Sequence, residues 1–164
     1  MQQSIFDVLY PKYKITKPIR LIELFSGYGS QALALKYLGV EFEHWKICEW
    51  AVKSIQAYKD IHFPNDNTNF LALHSFQDKK KYVQNWLYEK GISSNYNEPM
   101  TKEQINRLSD AQLEIIYNNI FITHNLVNIQ QVKGSDLEIS DTDKYEYIMT
   151  YSFPCQDLSL RARW

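Results

Sequence analysis

The chain has 164 residues, a mass of 19.5 kDa and a net charge of −1, which favours a single domain with its own core and weighs against a strongly basic nucleic-acid-binding surface. The two cysteines, Cys48 and Cys155, indicate no disulfide framework and fit a reducing cytoplasm. A secretory signal pattern and a membrane-spanning apolar run are both lacking, so we expect a cytoplasmic protein with no membrane partner.

The first part of the chain alternates between predicted strands and helices. Apolar runs predict strands at residues 19–25 and 42–48, and helical spacing of apolar side chains predicts helices at residues 30–38 and 51–59. Gly39 follows the first helix, where glycine commonly ends helices. Strand, helix, strand and helix in this order predict a parallel α/β unit.

A polar, turn-rich region then interrupts the alternation. We interpret residues 67–123 as a helical insertion within one domain that covers residues 1–164. Its predicted elements are a helix at 78–90 that stops before Gly91, and two helix starts with capping boxes at Thr101 and Ser109. A short strand is predicted at 126–129 and a further strand at 145–151.

The loop after the first predicted strand has the form G-x-G-x-x-A, from Gly27 to Ala32. Glycines at such a turn let a ligand approach the backbone closely. Glu49 lies twenty residues past Gly29, at the end of the second predicted strand, where a carboxylate can accept hydrogen bonds from both hydroxyls of a ribose. A tight turn beside a solvated glutamate explains the same residues. The strand-loop-helix context favours an adenosine-type cofactor.

Three short segments carry a resemblance to the cytosine-5 DNA methyltransferases. They are Phe25-Ser26-Gly27-Tyr28-Gly29, Glu49-Trp50 and Phe153-Pro154-Cys155-Gln156. The resemblance implies a Rossmann-like, S-adenosylmethionine-dependent methyltransferase fold with a partial parallel sheet of about four strands and the helical insertion. It covers the amino-terminal, cofactor-binding half of such an enzyme.

The resemblance also implies roles for individual residues at the S-adenosylmethionine site. Phe25 would pack near the adenine, and the glycine loop would lie beside the methionine part of the cofactor. Glu49 would bind the ribose and Trp50 the adenine face, although a Trp in the core explains Trp50 as well. The implied cofactor-binding residues are Phe25, Ser26, Gly27, Tyr28, Gly29, Glu49, Trp50, Asn128, Ile129 and Pro154. Asn128 departs from the family, which usually has Asp there near the adenine amino group.

Cys155 is the implied catalytic nucleophile. C5 of cytosine is not nucleophilic until a thiolate adds to C6, and cysteine suits that step because it is nucleophilic and leaves readily. The target base must also leave the DNA stack. A buried, inert thiol is the usual state of a free cysteine, but the position of Cys155 after Pro154 at a strand end favours the catalytic role. Cys48 lies inside a predicted strand and is expected in the core.

Several parts of the resembled enzymes have no counterpart in these 164 residues. They are the Glu-Asn-Val segment that protonates the base, an Arg-rich segment and the target-recognition domain. We therefore expect DNA to be the partner of the complete enzyme, in a restriction-modification setting, and this chain alone to be inactive. We also expect self-association or pairing with a complementary C-terminal polypeptide. The alternative is a non-catalytic fragment that binds S-adenosylmethionine or protein, as a decoy, a regulator or half of a split enzyme.

Other chemistries fit the sequence less well. A zinc deaminase needs paired cysteines after the proline and an upstream His-x-Glu, which are missing. The four histidines lack metal-ligand spacing, so no metal is expected. A papain-like protease needs His and Asn downstream of its cysteine, and the chain has neither after Cys155.

Overall fold

The computed structural model describes residues 15–75 and 78–152, which form a three-stranded parallel sheet with helices packed around it. The strands are β1 (Ile19–Leu24), β2 (Phe42–Cys48) and β3 (Glu146–Tyr151). The helices are α1 (Ser30–Tyr37), α2 (Val52–His62), α3 (Lys79–Lys90), α4 (Lys102–Asn106) and α5 (Asp110–Ile122). This arrangement confirms the predicted α/β architecture with a partial parallel sheet.

The strand order is β2-β1-β3, so β1 is central and the chain leaves it toward β2 and returns on the other side as β3. Both pairings are parallel, from Ile19 opposite Phe42 and Glu146 to Leu24 opposite Cys48 and Tyr151. The order of the strands therefore reverses at β1. In open α/β sheets, ligands bind beyond the carboxyl ends of the strands at such a reversal.

The amino ends of the three strands are joined by the Arg20 side chain. Its guanidinium carbon lies 3.7 Å from the ring centre of Trp45 and 3.6 Å from that of Tyr145. Arg20 also donates to Glu43 at 2.9 Å and to the Tyr147 hydroxyl at 2.8 Å. Stacking of a guanidinium on aromatic rings adds to the paired charge, so this cluster fastens all three strands at the edge opposite the candidate site.

Several helices begin or end at the capping residues and glycines that the sequence predicts. Thr101 and Ser109 both form complete capping boxes, which confirms the two predicted helix starts. Gly39 and Gly91 adopt φ values of +70° after α1 and α3, a conformation that costs glycine little. Helices α3, α4 and α5 share one apolar core with Ile55 of α2. The division into a domain with an insertion at 67–123 stays a prediction.

The predicted strand at 126–129 is wrong. Asn125 makes a single parallel bridge to Ile47, and the Leu126 amide donates to the Ile47 carbonyl at 2.8 Å. Val127 then takes a left-handed φ of +68°, which turns the chain away from the sheet, and a 3-10 turn follows at Ile129–Gln131. The described sheet therefore has three strands, one fewer than expected.

Strand β3 is at one edge of the sheet within the part of the chain that the structure describes. Met149 and Tyr151 on this strand are 43% and 65% exposed. Exposed strand edges with apolar side chains favour association with another chain. Self-association or pairing with a complementary polypeptide stays a prediction.

Candidate functional site

A cavity of about 420 Å3 lies beyond the carboxyl ends of the three strands. Its walls come from the segments that follow β1, β2 and β3, together with the chain around Asn128 and one residue of the helical region, Tyr96. Six of the predicted cofactor residues line it: Phe25, Gly27, Glu49, Trp50, Asn128 and Ile129. Ser26, Tyr28 and Gly29 belong to the same loop without lining the cavity. Pro154 and Cys155 lie outside the described residues.

The loop between β1 and α1 is a tight turn of left-handed residues. Phe25, Gly27 and Gly29 have φ values of +56°, +54° and +83°, and the Gly29 amide donates to the Ser26 carbonyl at 2.8 Å. A bulky side chain at positive φ, as at Phe25, is uncommon and often marks a functional site. The Ser26 side chain is buried, and its hydroxyl has no hydrogen-bond partner among the residues described.

The Glu49 carboxylate is buried between the glycine loop and α2. One oxygen, Oε2, accepts the Gly27 amide at 2.9 Å, and Oε1 accepts the Ala51 amide at 2.8 Å. Burial raises the pKa of Glu49, while these backbone hydrogen bonds act in the opposite direction. The Trp50 amide contributes in the same way, and because a carboxylate has about four acceptor sites, these backbone contacts leave acceptor capacity for a ligand. Glu49 therefore organises the loop as well as facing the cavity.

Asn125 fixes the Glu49 backbone and was not identified from the sequence. Its side-chain oxygen accepts the Glu49 amide at 3.0 Å and the Val127 amide at 2.8 Å, and its side-chain nitrogen donates to the Glu49 carbonyl at 2.9 Å. The side-chain amide thus continues the hydrogen bonding of β2 where the neighbouring backbone turns away. A polar residue before an apolar run gives little indication of such a contact.

Asn128 and Cys48 occupy the wall next to Glu49. The Asn128 side-chain oxygen accepts the Gln130 amide at 3.0 Å, so one of its lone pairs already caps the 3-10 turn. The Cys48 thiol is buried and donates to the Val127 carbonyl at 3.4 Å. Burial, with a smaller effect of the Glu49 charge, raises the pKa of Cys48 to about 12. Cys48 is a core thiol, as expected, and is not reactive at neutral pH.

A buried polar cluster supports the glycine loop from below, and sequence reasoning missed it. Glu23 in β1 accepts the Tyr58 hydroxyl at 2.6 Å and the Ala32 amide at 3.1 Å, which fixes the first turn of α1. His44 Nδ1 lies 2.8 Å from the Tyr58 oxygen. His62 Nε2 lies 3.0 Å from the Tyr28 carbonyl, so the ring donates a hydrogen bond directly to the loop. One indication of this cluster was present in the sequence, the carboxylate of Glu23 within an apolar strand.

Burial of this cluster predicts acid sensitivity. Burial first, and then the nearby His62 and Lys36 charges, lower the pKa of His44 to about 3. Burial lowers the pKa of His62 as well. The unfolded chain binds a proton at His44 near its ordinary pKa of 6.5, whereas the folded chain does not until about 3. Folding stability therefore falls as the pH is lowered through this window.

We expect the wild type to lose stability relative to His44→Gln between pH 6.5 and 4.5. Because the ring is only part-buried, the expected loss is about 0.5 to 1 kcal/mol per pH unit, below the limit of about 1.4. Urea unfolding of both proteins at several pH values measures the difference. Glu23 and Glu49, whose raised pKa values act in the opposite direction, are present in both proteins. A constant difference across this range would contradict the assignment.

Comparison with known proteins places two methyltransferases among the relatives of this chain. No family model matches the chain. Over 145 residues, 88% of its length, the chain is 35% identical to the orphan methyltransferase M.SssI of Spiroplasma monobiae. Over 142 residues it is 28% identical to the type II methyltransferase M2.ScrFI of Lactococcus lactis subsp. cremoris. The resemblance to the cytosine-5 DNA methyltransferases is confirmed.

The methyltransferase similarity covers nearly all of this chain but only part of its relatives. The chain spans 36% of the length of each curated methyltransferase that it matches. In residues 15–75 and 78–152 of this methyltransferase-related chain, no helix is long and apolar enough to cross a membrane. The same residues contain no group of three or more His, Cys, Asp and Glu side chains that could hold a metal ion.

Proposed function

We propose that this chain binds S-adenosylmethionine as the cofactor-binding part of a DNA cytosine-5 methyltransferase. The observation that carries the proposal is the cavity at the reversal of strand order, where the Glu49 carboxylate meets the glycine loop. Both lie where adenosyl cofactors bind in open α/β sheets. The similarity to two methyltransferases supports the same cofactor class.

The residues of the cavity fit an adenosyl group. The volume of about 420 Å3 is within the range of small-molecule sites. Phe25 and Trp50 offer aromatic surface for a purine, and Glu49 offers two acceptors for the ribose hydroxyls. Asn128 retains one free acceptor lone pair and its amide nitrogen for the polar edge of the base. When bound, the cofactor supplies the methyl group.

Methyl transfer to DNA is the proposed activity of the whole protein, and Cys155 is its proposed nucleophile. Ser152, the residue directly after β3, lines the cavity, and Cys155 follows it by three residues in the sequence. The thiolate would attack C6 of a cytosine extruded from the DNA, which makes C5 nucleophilic. Buried Cys48 is the inert thiol, so the two cysteines are assigned different roles.

We expect purified protein to bind S-adenosylhomocysteine with micromolar or weaker affinity, on the order of −8 kcal/mol at best. Titration calorimetry measures this. Glu49→Gln should weaken binding at least about tenfold, since a hydrogen bond to a charged acceptor contributes roughly 1.5 to 3 kcal/mol. Glu41→Gln makes the same change of charge at an exposed position before β2 and should bind as the wild type does. The absence of heat at millimolar ligand would reject the proposed cofactor.

We expect the 164-residue polypeptide by itself to transfer no methyl group to DNA. The base-protonating and DNA-reading segments of the resembled enzymes are not among these residues, and loss of one essential member of a catalytic group removes most of the rate. Incubation with mixed-sequence DNA and labelled cofactor should give incorporation equal to that of Cys155→Ser. A protein that binds the cofactor but transfers no methyl group would also fit the alternative, a non-catalytic fragment. Incorporation that depends on Cys155 would overturn the expectation.

A further inference from the structure

Tyr96 is the one residue of the helical region that lines the cavity within the described part of the chain. It stands in the loop between α3 and α4, far in sequence from the other walls of the site. The residue is 53% exposed, and its backbone has a φ of +69°. A tyrosine at positive φ is uncommon, because a bulky side chain is strained in that conformation.

The loop that carries Tyr96 is fixed to the start of α2. Ser93 forms a parallel bridge there, donating its amide to the Trp50 carbonyl at 2.8 Å and accepting the Val52 amide at 2.9 Å. The fully buried Ser93 hydroxyl also accepts the Tyr96 amide at 3.0 Å and donates to the Glu98 carbonyl at 2.7 Å. The strained backbone is therefore held by its surroundings and presents the ring at a set position.

The Tyr96 side chain is oriented by α2. Ser54 Oγ donates to the Tyr96 hydroxyl at 3.2 Å, and Ser54 follows Trp50 by four residues. Trp50, Ser54 and Tyr96 all line the cavity, so the tyrosine ring belongs to the wall formed with Trp50. Aromatic rings bind purines through their faces and exclude water from them.

We propose that Tyr96 contacts the adenosine part of the bound cofactor, so that the helical region supplies a binding residue and completes the pocket. This inference rests on the proposed function. Its phenol ring provides the contact, and the hydrogen bond from Ser54 orients the ring. The amino-acid part of the cofactor, which the family resemblance places beside the glycine loop, is not expected to touch Tyr96.

Titration calorimetry with S-adenosylhomocysteine tests the ring. Tyr96→Ala should weaken binding about three- to tenfold, the range of a single aromatic contact, and Tyr96→Phe should stay within about twofold of the wild type. Tyr37→Ala makes the same truncation at an 87% exposed position on α1 and should leave the affinity unchanged. Adenosine, measured by competition, should lose the same factor in Tyr96→Ala.

Each other result overturns the inference. Equal affinities of Tyr96→Ala and the wild type would show that the ring does not contact the ligand. Equal losses in Tyr96→Ala and Tyr96→Phe would show that Tyr96 acts only through its hydrogen bond with Ser54, which would then serve to fix the loop. A loss for S-adenosylhomocysteine without a loss for adenosine would place the ring at the amino-acid part. Failure of the wild type to bind either compound defeats the proposed function itself, so the two failures are distinguishable. Melting temperatures of all variants check that each one is folded.

Discussion

Replacing Gly29 by alanine is expected to destabilise the protein by roughly 3 to 5 kcal/mol and to abolish cofactor binding. A Cβ at this position would lie 2.2 Å from His62 Nε2 and 2.7 Å from a ring carbon of Tyr58. Gly29 also has a φ of +83° at the start of α1, so the new side chain adds backbone strain. Both partners are packed in the buried cluster and cannot move without breaking its hydrogen bonds. Urea unfolding and calorimetry measure the two effects.

Gly39→Ala is the matched control for this change. Gly39 has a φ of +70° after α1, but a Cβ there meets nothing within 4 Å. Gly39→Ala should therefore lose stability through backbone strain alone, of order 1 to 3 kcal/mol. The added methyl at Gly29 should also be better tolerated in a His62→Ala background, where the nearest clash is removed. Equal stabilities of Gly29→Ala and Gly39→Ala would show that the loop adapts to the methyl group.

Replacing Glu23 by alanine is expected to destabilise the protein by roughly 3 to 5 kcal/mol. The change removes the acceptor of the Tyr58 hydroxyl and of the Ala32 amide, and both of these groups are fully buried. It also leaves a cavity beside β1, which adds to the loss of stability. The first turn of α1 loses its anchor, so the glycine loop should loosen and ligand affinity should fall as well. Urea unfolding and calorimetry report the two losses.

Glu23→Gln separates the hydrogen bonds from the charge. The amide oxygen can accept the Ala32 hydrogen bond, and the amide nitrogen can donate to the Tyr58 oxygen. The Tyr58 hydroxyl would then donate to His44, which can accept by changing its tautomer. We expect this variant to lose only about 1 kcal/mol, the scale of one altered hydrogen bond. Equal stability of Glu23→Ala and Glu23→Gln would mean that the cluster contributes nothing through its hydrogen bonds.

The parts of the fold that were predictable from the sequence depend on local patterns. Strand β2 has the bounds expected from its apolar run, and the capping boxes at Thr101 and Ser109 begin helices where predicted. These features are encoded within a few neighbouring residues. The glycine loop and Glu49 were also recognisable, because a turn of this kind needs glycine and the carboxylate has a characteristic spacing.

The parts that were not predictable depend on contacts between distant segments. Asn125 binds the Glu49 backbone across 76 residues. The Asn125 side chain forms these hydrogen bonds where the apolar run at 126–129 had suggested a strand. Glu23 reaches Tyr58 across 35 residues, so its role becomes visible only when the sheet and α2 are packed together. Tyr96 reaches the cavity because the Ser93 bridge brings its loop to α2. Residue spacing carries no information about these encounters.

The clamp between Asn125 and Glu49 determines when the pocket can form during folding. Its hydrogen bonds close a long loop that contains α2 to α5, and the entropy lost in closing so long a loop must be offset by the packing of the helices inside it. The wall carrying Glu49 is therefore completed only after the intervening helices have packed. The Glu49 amide hydrogen should then be protected from exchange with solvent by the cooperative unit that includes those helices, so a weakened helical core should expose this wall of the candidate site from a distance.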